Sequence, residues 1–500
     1  MRWHYASTYE IEKIIKSLKS KNTGGYDEIS TQILKLSAPY IISLLTYICN
    51  VILNTGIFPD RLKYAIIKPV FKKGDDHDVI NYSPISLLTP FSKVIEKLIY
   101  ARLLDHLNTN FILANEKCGF RSRYSTEQAN FSLINNILTA MNNNLKIGGI
   151  FCALKKAFDC VNHKILVDKL EFYGIEGRFK KQIKSYLTGR YQKVTIIILI
   201  LLALQTGVPQ GSILGPLFFL LYVNDLPKAI TKNNSLLFAA DTSLLITDSN
   251  NSDFNININQ SLCNIISWFN SNLLTVNFTK THYVEFRTKN YYQVKTKVKY
   301  EHKRISNSSE TKFLGLIIDE TLFWNQHIDH IANKLCSACY ALRNLKFIVL
   351  QSTLRTIYYA HIHSILSYGI IFWVRSSNVN QLFILQKKII SIIINIGVKE
   401  SCREAFKDME IMTLYSQYIF SLILFTVNNK HLFTSNKEIH DYKTRSSANL
   451  HLPSVNITKF YKGPYVSGSK AFNRLPNRTK ILANDMKCFK LSLKRFLYHL

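Results

Sequence analysis

Residues 235–246, Ser-Leu-Leu-Phe-Ala-Ala-Asp-Thr-Ser-Leu-Leu-Ile, permit few folds. Two short apolar runs flank a turn of small residues bearing one carboxylate, the pattern of a buried β-hairpin with Asp241 at its tip. A hairpin turn that holds an Asp is structurally ordinary and by itself needs no chemistry. Its neighbours matter more. Residues 206–217 read Thr-Gly-Val-Pro-Gln-Gly-Ser-Ile-Leu-Gly-Pro-Leu. Further back, Ala157-Phe158-Asp159-Cys160-Val161-Asn162-His163 follows a strand expected over 149–154.

Size and charge bound the rest. Five hundred residues with 47% hydrophobic content can bury a substantial core spread over several subdomains. A formal charge of +30 calls for a polyanionic partner, most simply nucleic acid, although a basic solvated surface is the plainer alternative. Nine scattered cysteines form no dense framework and read as reduced thiols of an intracellular protein, in nucleus or cytoplasm. The first 20 residues lack an apolar signal-peptide core. The apolar runs 194–204 and 213–223 are about half of the roughly 20 residues that span a bilayer, so no membrane partner is expected.

The order of AFD-x-VNH after a strand, GVPQGS-x-LGP, and F-A-x-D-T closely resembles the palm of a reverse transcriptase from a non-LTR (LINE-type, jockey-like) retrotransposon. The resemblance implies an α+β right-hand polymerase: fingers, a palm with an antiparallel sheet backed by helices, a helical thumb, and a mostly helical C-terminal segment. The divisions expected are 1–145, 146–320, 321–400 and 401–500. It implies RNA-directed DNA polymerase activity with two Mg²⁺ ions, acting on an RNA template with a DNA primer or on an RNA–DNA hybrid.

The same resemblance exposes losses. The family's hairpin turn reads Ala-Asp-Asp, and its first palm strand carries another Asp five residues before the aromatic of AFD. Those positions are Ala240 and Ala153 here, so Asp241 is the one surviving metal carboxylate. Two Mg²⁺ ions about 4 Å apart need hard oxygen ligands, and a methyl group offers neither charge nor lone pair. The family's N-Y-R-P-I-S-L-L is Asn81-Tyr82-Ser83-Pro84-Ile85-Ser86-Leu87-Leu88 in this chain, and Ser83 cannot copy a guanidinium's bidentate hold on a triphosphate. The expectation is a catalytically dead relic that at most binds nucleic acid; an active enzyme with a degraded metal site, or a decaying product without function, are the alternatives.

Other positions carry roles by the resemblance. Phe158 matches the aromatic that excludes a ribose 2′-hydroxyl, and core packing is its plain alternative. Gln210 and Gly211 match the loop beneath template and nucleotide, with Gly207 and Gly211 allowing close backbone approach to a ligand. Lys280, in Asn277-Phe278-Thr279-Lys280-Thr281, matches a lysine near the leaving phosphates. Lys68, Lys72 and Lys73 lie on the fingers' basic strand, where solvation competes with phosphate binding. Gly119-Phe120-Arg121 with Ser125-Thr126 matches QFGFR-x-x-x-ST, with Lys117 and Cys118 in place of Gln and Phe. The stretch 312–319 matches a primer-grip strand. The segments Thr444-Arg445 and Gly468-Ser469-Lys470-Ala471-Phe472-Asn473-Arg474-Leu475-Pro476 match the family's C-terminal signature. The endonuclease that usually precedes the polymerase, and any cysteine-rich knuckle, are missing from the sequence, which reads as a 5′-truncated copy.

Local pattern supplies further expectations. Helices are expected over 8–21, ended by Gly24-Gly25, and 31–54, stopped by Gly56. Asp159 is expected to cap the next helix. Residues 252–273 and the stretch from Asn325 have helical periodicity, with more helices near 354–373 and 381–396, and a linker near 427–447. His327, His330, Cys336 and Cys339 suggest zinc. On one continuous helix they point in four directions, with His327 roughly 13 Å along the axis from Cys336, so no structural zinc is expected. The run 194–204 has no Gly, Pro, Asn or Asp to make the polar hairpin turn of relatives and reads as an aggregation hazard.

Overall fold

The structure, a computed structural model, describes residues 4–121, 124–195, 199–204, 206–230, 234–288, 296–397, 400–439, 447 and 449–498. The chain begins with α1 (Thr8–Ser17) and α2 (Thr31–Thr55), each opened by a serine whose hydroxyl accepts a first-turn N–H. Helix α1 ends at a Leu18 cap, short of Gly24, whereas α2 ends on Gly56 in the left-handed region, as its sequence requires. Next come β1 (Tyr64–Phe71), β2 (Tyr82–Leu87), α3 (Pro90–Thr109), α4 (Thr126–Asn142), β3 (Lys146–Cys152), α5 (His163–Phe172) and α6 (Gly177–Leu187). They are followed by β4 (Arg190–Thr195), β5 (Leu199–Leu204), α7 (Leu214–Tyr222), β6 (Asn234–Phe238), β7 (Asp241–Asp248), α8 (Asn251–Ser271) and β8 (His282–Phe286). Short strands β9 (Lys299–Tyr300), β10 (Lys303–Arg304), β11 (Ser306–Asn307), β12 (Glu310–Phe313) and β13 (Leu316–Asp319) lead into α9 (Asn325–Leu345) and a series of further helices.

One sheet has the order β2-β1-β4-β5 and a second β11-β8-β3-β7-β6. The first is mixed, because β1 pairs parallel to β4 and antiparallel to β2. The chain divides into two compact units that interleave in sequence: Met1–Tyr124, Phe151–Leu244 and Asn259–His282 in one, Ser125–Ile150, Leu245–Ile258 and Tyr283–Leu500 in the other. Within the first unit α7 is enclosed along its length, with Leu217, Phe218, Phe219, Leu220 and Leu221 all buried. At roughly 1.5–3 kcal/mol for each large side chain, that helix is a principal source of the unit's stability.

In the second unit Phe131 of α4 meets Phe425 and Phe433, with ring centroids 4.8 and 5.6 Å apart. The C-terminal signature acquires a structural account there. Gly468 lets two helices, Leu414–Asn428 and Pro464–Asn473, approach so closely that a Cβ on it would stand 2.5 Å from the Thr426 hydroxyl. The Asn473 side chain meanwhile holds both backbone groups of Leu450, at 2.9 and 2.8 Å. Thr444 and Arg445 lie outside the described residues.

Several expectations are corrected. Asn162, not Asp159, caps α5, accepting from Ile165 N at 3.1 Å, because it alone has extended backbone immediately before the first helical residue. Strands β4 and β5 pair antiparallel from Arg190–Leu204 to Thr195–Leu199 although an aggregation-prone run was expected there; residues 196–198, where the expectation about a turn falls, lie outside the described residues. The stretch 312–319 is a hairpin of β12 and β13 rather than one strand, broken where Leu314 and Gly315 take positive φ. The region 354–373 is a broken helix, interrupted by a π-helical turn at Tyr358–His363 and a left-handed Gly369. Helix α9 is continuous; His327 and Cys339 are buried on it and Cys336 is exposed, so these ligands diverge.

Candidate active site

The loop 207–215 is held by its own backbone and by α3. Gly207 N donates to Val161 O at 2.8 Å and Val208 N to Phe158 O at 2.9 Å. On the other side Ser86 N donates to Gln210 O at 2.7 Å. Both glycines have positive φ, and a Cβ at either would sit 2.8 Å from backbone atoms of Asp159 or Ser86. The close approach expected toward a ligand is thus made to the protein's own chain, which is what fixes the loop.

Glu96 of α3, wholly buried, reaches the same loop. Its carboxylate accepts from Ile213 N at 2.6 Å, Tyr186 OH at 3.1 Å and Ser92 Oγ at 3.2 Å. Burial raises its pKa, and the nearby Arg190 guanidinium together with these three donors pulls it back. Arg190 is itself buried and lies over the Tyr186 ring, 4.5 Å from its centroid.

The three carboxylate positions follow from this frame. Ala153 comes just after β3; its N–H donates to Thr281 Oγ1 at 3.2 Å and its carbonyl accepts from Asn277 N at 2.8 Å. The Asn277–Thr281 turn is therefore brought directly to Ala153, with Lys280 exposed on it. Ala240 and Asp241 form the tip between β6 and β7, and β7 neighbours β3 in the sheet. Asp241 is open to solvent, yet crowding by surrounding chain still raises its carboxyl above the ordinary range. Gly119 packs under this tip, where a Cβ would lie 2.3 Å from Ala239 N. Phe158 stands between Phe120 and Phe219, at 6.0 and 4.7 Å.

Ser83 and Lys72 belong to the β1–β2 hairpin, where Ser83 pairs with Val70 and Lys72 N donates to Asn81 O at 2.9 Å. Ser83 is three residues along β2 from Ser86, so about 10 Å from the Gln210 contact. Lys72, like Lys68 and Lys73, is exposed. The structure thus sets the Lys280 turn against Ala153, joins Phe158 and Asp159 to the Gln210–Gly211 loop, and carries Ala240 and Asp241 at the start of the strand beside β3, with Ser83 and Lys72 further out on the neighbouring hairpin.

A two-ion divalent site does not fit the residues present. The three carboxylate positions offer one carboxylate and two methyl groups, and Asp159 Oδ1 is taken by the Gln210 amide at 3.0 Å. Another group of side chains that converges on a common point among the described residues, Asp75, Asp76 and His77, is fully exposed on the loop after β1. Glu96 is a site residue that sequence reasoning missed, whereas Gly119 was singled out within its motif but not for its place against Ala239. Glu96 did carry a signal: it shares a helical face with Ser92, Ile99 and Leu103, where a carboxylate among apolar neighbours demands partners.

A strand with Ala153 just past its end, a clamped glycine loop and an Asp-tipped hairpin on the adjacent strand form the pattern of a palm-type nucleic-acid polymerase core. Residues 71–318 match the family described as "Reverse transcriptase (RNA-dependent DNA polymerase)". Over 400 residues the chain is 30% identical to "Probable RNA-directed DNA polymerase from transposon BS" of Drosophila melanogaster, covering 76% of this chain and 43% of that one. Against "RNA-directed DNA polymerase from mobile element jockey" of the same organism it is 27% identical, with 64% and 36% covered. The chain spans less than half the length of these curated relatives. It belongs to the reverse transcriptase family, among the proteins of non-LTR retrotransposons. Its architecture is mixed α/β, and the family works with a divalent metal.

Proposed function

We propose that this chain is a reverse transcriptase core that no longer polymerises DNA and retains binding to RNA or to a primer–template. One observation carries the reading: Ala153 and Ala240 stand at two of the three positions where the family places metal carboxylates, so Asp241 alone faces a chemistry that needs two Mg²⁺ ions. Binding draws support from the +30 charge and from exposed Lys72 and Lys280 beside the site. The reading also makes the protein intracellular, in keeping with nine unbridged cysteines, and not an integral membrane protein.

Two measurements test it. Primer extension on an RNA template with Mg²⁺ or Mn²⁺ is expected to give no templated product; robust synthesis that disappears in Asp241→Ala would overturn the proposal. Affinity for an RNA–DNA hybrid is expected to fall steeply as salt rises, since each neutralised phosphate releases counterions. A flat salt dependence, or no binding at low salt by a folded sample, removes the binding half.

A further inference from the structure

Helix α2 is apolar on both of its faces. Leu34, Ala38, Leu45, Cys49, Ile52 and Leu53 are buried, and α1, α3 and α6 pack against the helix. Roughly opposite, Ile33, Leu36, Tyr40, Leu44, Tyr47 and Val51 lie in solvent, from 40% exposed at Val51 to 89% at Tyr40. These six follow one another by steps of three and four residues, so they form a continuous stripe along the helix. Among its 25 residues Lys35 is the single charge. A helix apolar all round is ordinarily buried, and half of this one is not.

We propose that the free face of α2 is the contact between two copies of this chain, paired antiparallel about a two-fold axis near Ser43. Three considerations select that occupant. Each copy carries a formal +30, so two copies repel wherever cations face one another, and α2 offers a face almost without charge. A nucleic acid would seek the opposite kind of surface. The area also suffices: at about 200 Å² for a large side chain, weighted by these exposures, each copy presents roughly 800 Å², the share per partner of a standard specific interface. Finally, the stripe is self-complementary under a two-fold axis. Tyr40 falls opposite the partner's Tyr47 and Leu36 opposite the partner's Val51, as an isologous contact requires.

By length and composition α2 would also suit a bilayer. Spanning one would strip the packed face from α1, α3 and α6, and the exposed stripe lacks the flanking Lys and Arg of a helix lying in the lipid interface.

The test is sedimentation velocity on nuclease-treated full-length chain from low to tens of micromolar, in high salt to suppress repulsion. A reversible dimer is expected, with its dissociation constant raised at least ~100-fold by Leu36→Glu with Tyr47→Glu. Both side chains point to solvent, so circular dichroism and melting temperature of that variant should match the parent. If the variant misfolds, hydrogen exchange of α2 in the parent decides, because a dimer contact protects it at high concentration and not at low. A monomer at every concentration, or a dimer indifferent to the double variant, overturns the proposal. So does a monomer that binds neutral phosphatidylcholine vesicles through the same residues, which assigns the face to lipid.

Discussion

Within the first compact unit the reacting centre and the frame that holds it have diverged. At the centre, Ala153 and Ala240 present methyl groups and Ser83 a hydroxyl at positions where the resemblance places charge. In the frame, Glu96 still receives its three hydrogen bonds and Gly207, Gly211 and Gly119 still admit backbone at distances that any side chain would forbid. The difference follows from what each set does for folding. Carboxylates gathered to bind metal repel one another and stabilise nothing until the ion arrives, so replacing them by Ala costs the fold little. A buried carboxylate whose partners depend on it cannot be lost so cheaply.

The largest effect expected is on chemistry. Restoring Ala153→Asp and Ala240→Asp together with Ser83→Arg should raise templated synthesis by at least ~10⁴ over the parent, equivalent to about 5.5 kcal/mol of barrier. Primer extension on an RNA template reads it directly. Absence of any gain in a folded, hybrid-binding variant would mean that the frame is as damaged as the centre, and the contrast would collapse.

Next comes the frame itself. Glu96→Ala removes the acceptor for Ile213 N, Tyr186 OH and Ser92 Oγ, and leaves the buried Arg190 without its countercharge; a loss of about 3–5 kcal/mol of unfolding free energy is expected. Chemical denaturation measures it. A change below about 1 kcal/mol would show that the network does not hold the loop.

The frame is not flawless, and Lys117 marks its wound. This residue stands where the resemblance places Gln, is 1% exposed, and its amine has no hydrogen-bond partner among the described residues. Burial drives its pKa well below the ordinary lysine value. Lys117→Met is therefore expected to stabilise the chain by about 1–3 kcal/mol at neutral pH. The sign of the linkage gives a second readout. A lysine whose folded pKa is lowered gains stability as pH rises from that folded value toward the unfolded one, near 10.4. The parent should gain stability over that interval relative to the variant, and identical profiles would mean that the amine reaches water.

How much of this was legible in the sequence differs along the same line. The Asp241 hairpin, the loop with Gly207 and Gly211, and the Gly56 stop of α2 were readable because each depends on a few residues whose backbone or charge requirements are local. Asp159 misled because a short polar residue before a helix can cap only with extended backbone, and the turn preceding Asn162 decided which residue had it. The β4–β5 pairing was missed because partners across a ladder are set by backbone hydrogen bonds that no single run of letters names. Glu96 was hidden for a third reason: two of its three partners lie 90 and 117 residues away, and no local pattern names them. The double-faced apolarity of α2 was visible in the letters but fell outside a search for unbroken apolar runs, since Gln32, Lys35, Asn50 and Asn54 interrupt it.

The smallest effect expected is the most discriminating for the contrast. Ala153→Asp and Ala240→Asp add two negative charges to neighbouring strands beside Asp241, whose carboxyl is already raised by its surroundings. In a chelator, mutual repulsion at this partly exposed site should lower stability by about 1 kcal/mol relative to the parent. Millimolar Mg²⁺ should then return that loss, because an ion that binds only the folded state stabilises it by RT ln(1 + [L]/Kd), about 1.4 kcal/mol when [L] is tenfold above Kd. The parent, with one carboxylate, should show no Mg²⁺ shift in melting temperature. A parent that is stabilised as much as the restored variant would mean that backbone or other side-chain oxygens already hold the ion, and the two alanines would then no longer account for a silent enzyme.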